Sequence, residues 1–448
     1  SDSIFIPTKA SIKIISLSNG EILFERDSKM LVRPASNMKL LTSAAALMQL
    51  GTSYNFKTRV LLDSLEADSV VHGNLYLKGF GDPDLTSADV DSLVAKLAAM
   101  RVRVINGNVV ADVSYFDDEF WGTGWMWDDE PDPDAPFVSA LALNDNCVSI
   151  RVKSGLKAGD TVNATANPAT SYIAIRNNGT TVTDSVRQPL KVYRSIKQRS
   201  NTILIDGEML ADTNRTQEFS LTVWKPELYA ATVLKEKLAS AGISIHGEAV
   251  EGVAPAAAAT VVEMRRPMDS VITHLNKVSD NLSAEMALKA VGTQRYGQPG
   301  SFNSGLWALR HALSSMGIDT MSIRLVDGSG LSHYNLITTE LLTTVLKEMH
   351  RKPDIFPSFY NSLPIAGIDG TLRTRMKHTL AESNLRAKTG SISGVSSLSG
   401  YVTTQDGELL AFSIAMQNFV LPTPSYRLAQ DRIGALLAGF SRGRIAKR

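Results

Sequence analysis

A change of texture in the middle of the chain constrains its fold more than any other feature. From about residue 54 to 243, short alternating runs such as Leu75-Tyr76-Leu77 and Val109-Val110-Ala111 are broken by Gly, Asp, Asn and Pro. That is the pattern of short strands and turns. Residues 139–212 read almost wholly as β. On either side the pattern differs. Residues 11–17 and 21–25 flank Asn19-Gly20, a tight-turn pair, and predict a β-hairpin. Residues 37–50, rich in Leu, Ala and Met and closed by Gly51, predict a helix. Further helices are expected at 227–241, 269–277, 282–291, 302–316, 338–349 and 426–440, with a hairpin at 396–403 and 408–416. The middle third therefore reads as an insertion.

At 448 residues the chain is long enough for two or three domains. Lys and Arg number 46 against 45 Asp and Glu, so no basic excess points to a nucleic-acid partner. The single cysteine, Cys147, excludes a disulfide scaffold and reads as a small buried hydrophobe. No apolar run is long enough to span a bilayer. The start, Ser1-Asp2-Ser3, lacks Met and a signal segment, and is read as a mature or trimmed end. The basic residues 441–448 are read as a solvated tail, with peripheral membrane contact as the alternative.

Three short motifs carry the chemistry: Ser36-Asn37-Met38-Lys39, Ser279-Asp280-Asn281 and Lys388-Thr389-Gly390. Each alone is weak. Ser154-Gly155-Leu156-Lys157 fits the first pattern, and Ser301-Phe302-Asn303 fits the second. Context separates them: Ser36 opens a strong helix, Ser279 lies between two helices, and Lys388 opens a Gly/Ser-rich hairpin. Residues three apart on a helix share a face, so the Ser36 hydroxyl can meet the Lys39 amine. A helix N-terminus favours an attacking alkoxide, and the Ser36 N–H suits an oxyanion hole. Lys39 must be neutral to accept a proton. A second lysine charge about 4 Å away, at an effective dielectric of about 20, costs roughly 4 kcal/mol. That is enough to bring one lysine from about 10.4 to near 7–8, where a general base works well. Lys388 offers that charge and also a point cation for a substrate carboxylate. Ser279 is expected to relay a proton to the leaving amine, and Asn281 to bind a substrate carbonyl and Lys39. Beside the strand of Thr389, Gly390 and Ser391 an extended substrate can lie, with the Ser391 N–H as second oxyanion donor.

Together the motifs resemble the low-molecular-mass class C penicillin-binding proteins, serine D-alanyl-D-alanine carboxypeptidases/endopeptidases of the cell wall. The resemblance runs nearly end to end. It includes Arg33-Pro34-Ala35-Ser36-Asn37-Met38-Lys39, Gly81-Asp82-Pro83-Asp84-Leu85, Asp327-Gly328-Ser329-Gly330-Leu331-Ser332 and Leu363-Pro364-Ile365-Ala366-Gly367-Ile368-Asp369-Gly370-Thr371-Leu372. It implies an α/β (α+β) penicillin-binding/serine β-lactamase-like fold: an antiparallel sheet flanked by helices, built from both chain ends. Two β-rich domains would be inserted between the first and second motifs. The expected division is a catalytic domain at 1–60 and 240–448, an inserted α/β domain at 61–138 and 213–239, and a β-rich domain at 139–212. The resemblance further implies acylation of Ser36 by β-lactams, peptidoglycan stem peptides as substrate, a periplasmic or exported location, and no cofactor or metal. The Trp-rich run 120–129 resembles a family segment that overhangs the active site, where an aspartate binds the amine of the stem diamino acid. The matching residue is Asp129, with Asp128 as alternative. One departure is His333, where many relatives carry arginine.

Competing chemistries lack their residues. There is no Gly-x-Ser-x-Gly elbow and no His-Glu-x-x-His, and the seven histidines are scattered. Two rivals share the motifs: a β-lactamase, which needs an efficient deacylating base, and a non-catalytic peptidoglycan-binding scaffold.

Overall fold

The computed structural model describes residues 6–64, 69–184, 188–212 and 215–445. Ser1-Asp2-Ser3 and the last three residues of the basic tail lie outside them. The described chain forms two compact units. One comprises residues up to Asn55, Gly122–Trp125 and from Pro267 onward; the other comprises Phe56–Trp121 and Met126–Arg266.

The first unit is built on a five-stranded antiparallel sheet. Its strands are β1 (Lys9–Ser16), β2 (Ile22–Arg26), β3 (Arg386–Ile392), β4 (Val395–Thr403) and β5 (Leu409–Gln417). Their order is β3-β4-β5-β1-β2, so the two chain ends meet where Lys9 opposes Gln417 and Ser16 opposes Leu410. β4 and β5 are buried along almost their whole lengths. They read as continuous apolar or small-residue runs because both faces are covered. On one face pack Leu398, Val402, Phe412, Ile414 and Tyr426.

The helices are α1 (Met38–Leu50), α2 (Met268–Lys277), α3 (Asn281–Tyr296), α4 (Phe302–Ser315), α5 (Thr339–His350), α6 (Phe356–Ser362) and α7 (Pro424–Ala438), with a short last one at Arg442–Ile445. α1 is buried from Met38 to Leu47 without a solvent face. Its sequence explains this: Leu40, Leu41, Ala44, Ala45, Ala46 and Leu47 cover every direction of the helix, so it sits inside the unit. Full burial of one such leucine contributes roughly 1.5–3 kcal/mol. α1 is therefore a fixed post for the residues at its N-terminal end.

The second unit contains a five-stranded sheet in the order Ala249–Glu251, Val109–Asp112, Leu75–Phe80, Asn55–Leu62, Ala259–Pro267. Helices Ser87–Ala99 and Pro226–Ser240 belong to the same unit. The remainder is smaller sheets, among them Thr216–Thr222, Cys147–Lys153 and Asn163–Asn167. Cys147 is buried. The helix Ser87–Ala99 is absent from the reading of the sequence, although its signals are present. Thr86 and Asp89 form a capping box, and Val90, Leu93, Val94 and Leu97 are buried on one face.

Candidate active site

Ser36 does not open α1 directly. It lies in a 3-10 turn, Ala35–Asn37, that runs into the helix at Met38. The turn is strained and clamped. Ala35 has φ +48°, a left-handed conformation that costs a side-chain-bearing residue energy. Two glycines allow neighbouring chain to close on it. A Cβ on Gly330 would lie 1.9 Å from the Ala35 carbonyl oxygen, and one on Gly390 would lie 2.7 Å from that of Pro34. A larger residue at Gly330 forces the loop 327–332 away from the turn, and one at Gly390 forces β3 away from it. The missing side chain of Gly390 thus serves the seating of Ser36. Asn37 donates to Ser397 on β4, and Ser397 in turn donates to the Pro34 carbonyl at 2.7 Å.

Lys39, one turn into α1, is 0% exposed. Its Nζ lies 3.0 Å from Ser36 Oγ, 2.5 Å from Asn281 Oδ1 and 2.9 Å from the Ser329 carbonyl oxygen. The last two are oxygens that only accept. A neutral amine has two N–H bonds and one lone pair. With both N–H bonds given to Asn281 and Ser329, the lone pair is left for the Ser36 hydroxyl, which is half-buried.

The second motif sits at the joint between α2 and α3. Asp280 caps α3 by accepting the Ser283 N–H at 2.5 Å, which frees Asn281 to face Lys39. Ser279 has φ +71°, again left-handed. Lys388 donates to Ser279 Oγ at 2.9 Å and to the Thr389 carbonyl at 3.0 Å. Lys388 is also 0% exposed. Burial, and after it the charge on Lys39, hold its ammonium well below the ordinary lysine value. The charge of Lys39 thus acts on Lys388, and Lys388 is the lysine whose charge is disfavoured.

β3 is an edge strand whose first residues, Arg386 and Ala387, pair with Pro364–Ile365. Thr389 Oγ1 lies 2.8 Å from Thr371 Oγ1, and Gly390 and Ser391 follow on the same strand. Ser36 and Asn281 thus meet on Lys39, and Ser279 meets Lys388, whose neighbour on β3 is Thr389. Asp129 belongs to the other compact unit, where its carboxylate accepts the Met126 N–H at 2.8 Å. His333 lies 3.3 Å from the Arg33 guanidinium. The competing matches serve other ends: Ser301 caps α4, and Ser154 accepts the Asp212 N–H.

Several residues around the site are not evident from the motifs. Glu285 and Asp327 are buried carboxyls under the loop 327–332. Burial first, then the Asp327 charge, pushes Glu285 up to about 8. Burial likewise raises Asp327, against its hydrogen bonds from Ser332, Gly330, Asn335 and Trp125. Thr371, which supports Thr389, comes from the 363–372 block without any signal of this role.

The D-Ala-D-Ala carboxypeptidase 3 (S13) family matches residues 6–438. A D-alanyl-D-alanine carboxypeptidase of Actinomadura sp. (strain R39) is 33% identical over 446 residues, covering 96% of this chain and 81% of its own. The D-alanyl-D-alanine carboxypeptidase DacB of Haemophilus influenzae is 28% identical, covering 91% and 85%. The crystal structure of penicillin binding protein 4 (dacB) from Haemophilus influenzae superposes with a TM-score of 0.85 at 25% identity, over 97% of each chain.

Proposed function

The chain belongs to the D-Ala-D-Ala carboxypeptidase 3 (S13) family, and on that premise we propose that it is a serine D,D-carboxypeptidase/D,D-endopeptidase of peptidoglycan stem peptides, with Ser36 as nucleophile. One observation carries the residue assignment: Lys39 Nζ, 3.0 Å from Ser36 Oγ, has two acceptor-only oxygens for its two N–H bonds. That arrangement fixes the nitrogen on the Ser36 hydroxyl, so that once neutral its lone pair is aimed at the proton to be taken.

Ser36 Oγ attacks the carbonyl carbon of the penultimate D-alanine while its proton passes to Lys39. The oxyanion is taken by the N–H groups of Ser36 and Ser391. The C–N bond then breaks, and the leaving amine receives a proton through Ser279, whose hydroxyl touches Lys388. Terminal D-alanine departs, and water cleaves the ester on Ser36. Lys388 and Thr389 hold the substrate's terminal carboxylate. In an endopeptidase turn the leaving amine is that of a cross-linked diamino acid. A β-lactam follows the same first step, but its amide is part of a ring, so no fragment leaves and the whole molecule stays on Ser36.

Asp129 is proposed to bind the free amine of the stem diamino acid. Its support is the sequence resemblance and a carboxylate ordered by the Met126 N–H. Asp129→Asn is expected to raise KM about tenfold for stem peptides ending in a free amine, with kcat unchanged. Equal KM values would remove Asp129 from the site. The substrate's chemistry supports a location outside the inner membrane, in the periplasm or exported. Within the insertion, the parts 61–138 with 213–239 and 139–212 are proposed as separate domains. Both helices of the unit fall in the first, and strands and short 3-10 turns make up the second.

The test of the activity is D-alanine release from a peptide ending in D-Ala-D-Ala. Steady release by the parent chain and none by Ser36→Ala is the expected result. Binding of the peptide without release by either chain would favour a scaffold.

A further inference from the structure

The two acceptor-only partners of Lys39 both trace back to α3. Asn281 opens that helix and presents Oδ1 directly. Glu285 lies one turn further on the same face, fully buried. Its carboxyl oxygens take the Gly328 N–H at 2.8 Å and the Ser329 N–H at 2.7 Å. The carbonyl of that same Ser329 is the oxygen 2.9 Å from Lys39 Nζ. The peptide unit that carries the Ser329 carbonyl also carries the Gly330 N–H, which is held by Asp327, so the two carboxyls grip successive peptide units of the turn. Asp327 accepts from the backbone of Gly330 at 2.8 Å and Ser332 at 2.7 Å, and from Asn335 Nδ2 at 2.7 Å. Thr42 on α1 donates to the Gly328 carbonyl at 2.6 Å. A single residue, Ser329, thus carries a Glu285 contact on its N–H and a Lys39 contact on its carbonyl.

We propose that Glu285 is a positioning residue for the general base: by fixing the backbone at 328–329 it aims the Ser329 carbonyl at Lys39 and so directs the amine's lone pair to Ser36. A buried carboxyl suits this task better than packing does. Two adjacent N–H groups inside the unit need an acceptor, and leaving them bare costs about 1–3 kcal/mol each. An acceptor also fixes the direction of the 327–328 and 328–329 peptide planes, and with them the point from which the Ser329 carbonyl projects, which an apolar side chain does not. The upward push on the Glu285 carboxyl fits this role, because a neutral carboxyl still accepts through its carbonyl oxygen. Glutamine keeps that oxygen and alanine removes it.

The inference rests on Lys39 as the base, and its test is read on a parent chain already shown to acylate. The measurement is the second-order rate of acylation by penicillin against pH, for the parent, Glu285→Gln and Glu285→Ala. Glu285→Gln is expected within about fivefold of the parent. Glu285→Ala is expected about 100-fold slower, the size of effect that a misplaced catalytic group produces. Its acid-side midpoint should also move to lower pH, because an ammonium that loses a carbonyl acceptor gives up its proton more readily. A residue that only holds the loop together would lower the rate and the melting temperature without moving that midpoint. An unmoved midpoint in Glu285→Ala, or a Glu285→Gln chain as slow as Glu285→Ala, overturns the proposal. Glu285→Asp, whose carboxyl is withdrawn by one methylene, is read by the same midpoint if the alanine chain does not fold. A parent chain that forms no acyl-enzyme at any pH would instead defeat the proposed function.

Discussion

Lys39→Met is expected to slow acylation by penicillin by about 10³-fold while leaving the fold in place, the scale of loss that follows removal of a general base. Methionine is close to lysine in length and apolar, so it fills the space beneath Ser36. It cannot take the Ser36 proton. Two oxygens, Asn281 Oδ1 and the Ser329 carbonyl, lose the donor at 2.5 Å and 2.9 Å. Their loss adds a cost in stability of about 1–3 kcal/mol. Rapid-mixing kinetics read the rate, and thermal melting reads the fold. An acylation rate within a few-fold of the parent would move the base elsewhere.

The second large effect concerns Lys388 and runs in two directions. A substrate carboxylate supplies the counter-charge that the buried Lys388 ammonium lacks, and the pair so formed is worth a charged hydrogen bond or two. Lys388→Met is expected to lower kcat/KM for D-Ala-D-Ala peptides by about 100-fold. Stability should respond otherwise. The Lys388 ammonium is disfavoured by burial and by Lys39, so its folded pKa lies below its unfolded value of about 10.4. A depressed lysine opposes folding at every pH below the folded value. The penalty then shrinks as pH rises from that value toward about 10.4, because the unfolded chain binds the extra proton. The parent should therefore gain stability over that window, and Lys388→Met should lack the gain. At pH 7 the variant is expected to melt no lower than the parent. A chain that loses stability at pH 7 and keeps the parent's pH slope would show that Lys388 is not the strained member of the pair.

Much of the site is legible in the sequence because its motifs are short and local. Ser36 and Lys39 are three apart, so spacing alone brings that pair to a common face; Ser279 and Asn281 are only two apart and reach different lysines, Lys388 and Lys39. The edge position of Lys388-Thr389-Gly390 follows from a hairpin signal. Other parts depend on chain that is near in space and remote in sequence. Glu285 reads as an ordinary helical glutamate until the loop 327–332 is seen folded over it. Gly390 looks like an opening for substrate, whereas in three dimensions its bare Cα admits the turn that carries Ser36. Similarly, the left-handed backbone at Ala35 and Ser279 has no signature in residues that usually avoid it. The helix Ser87–Ala99 is a different case: its capping box is readable, but a strand-like neighbourhood masks it. The insertion and the pairing of both chain ends in one sheet follow from texture and resemblance, and the order β3-β4-β5-β1-β2 bears out the sheet built from both ends.

The assignment of every other residue of the site depends on Ser36 Oγ being the atom that becomes acylated. Intact mass after incubation with penicillin tests this directly, on the parent and on Ser36→Ala. The account predicts that the parent gains the full mass of one penicillin, with no fragment lost, and that Ser36→Ala gains nothing. An adduct of the same mass on the Ser36→Ala chain would contradict it.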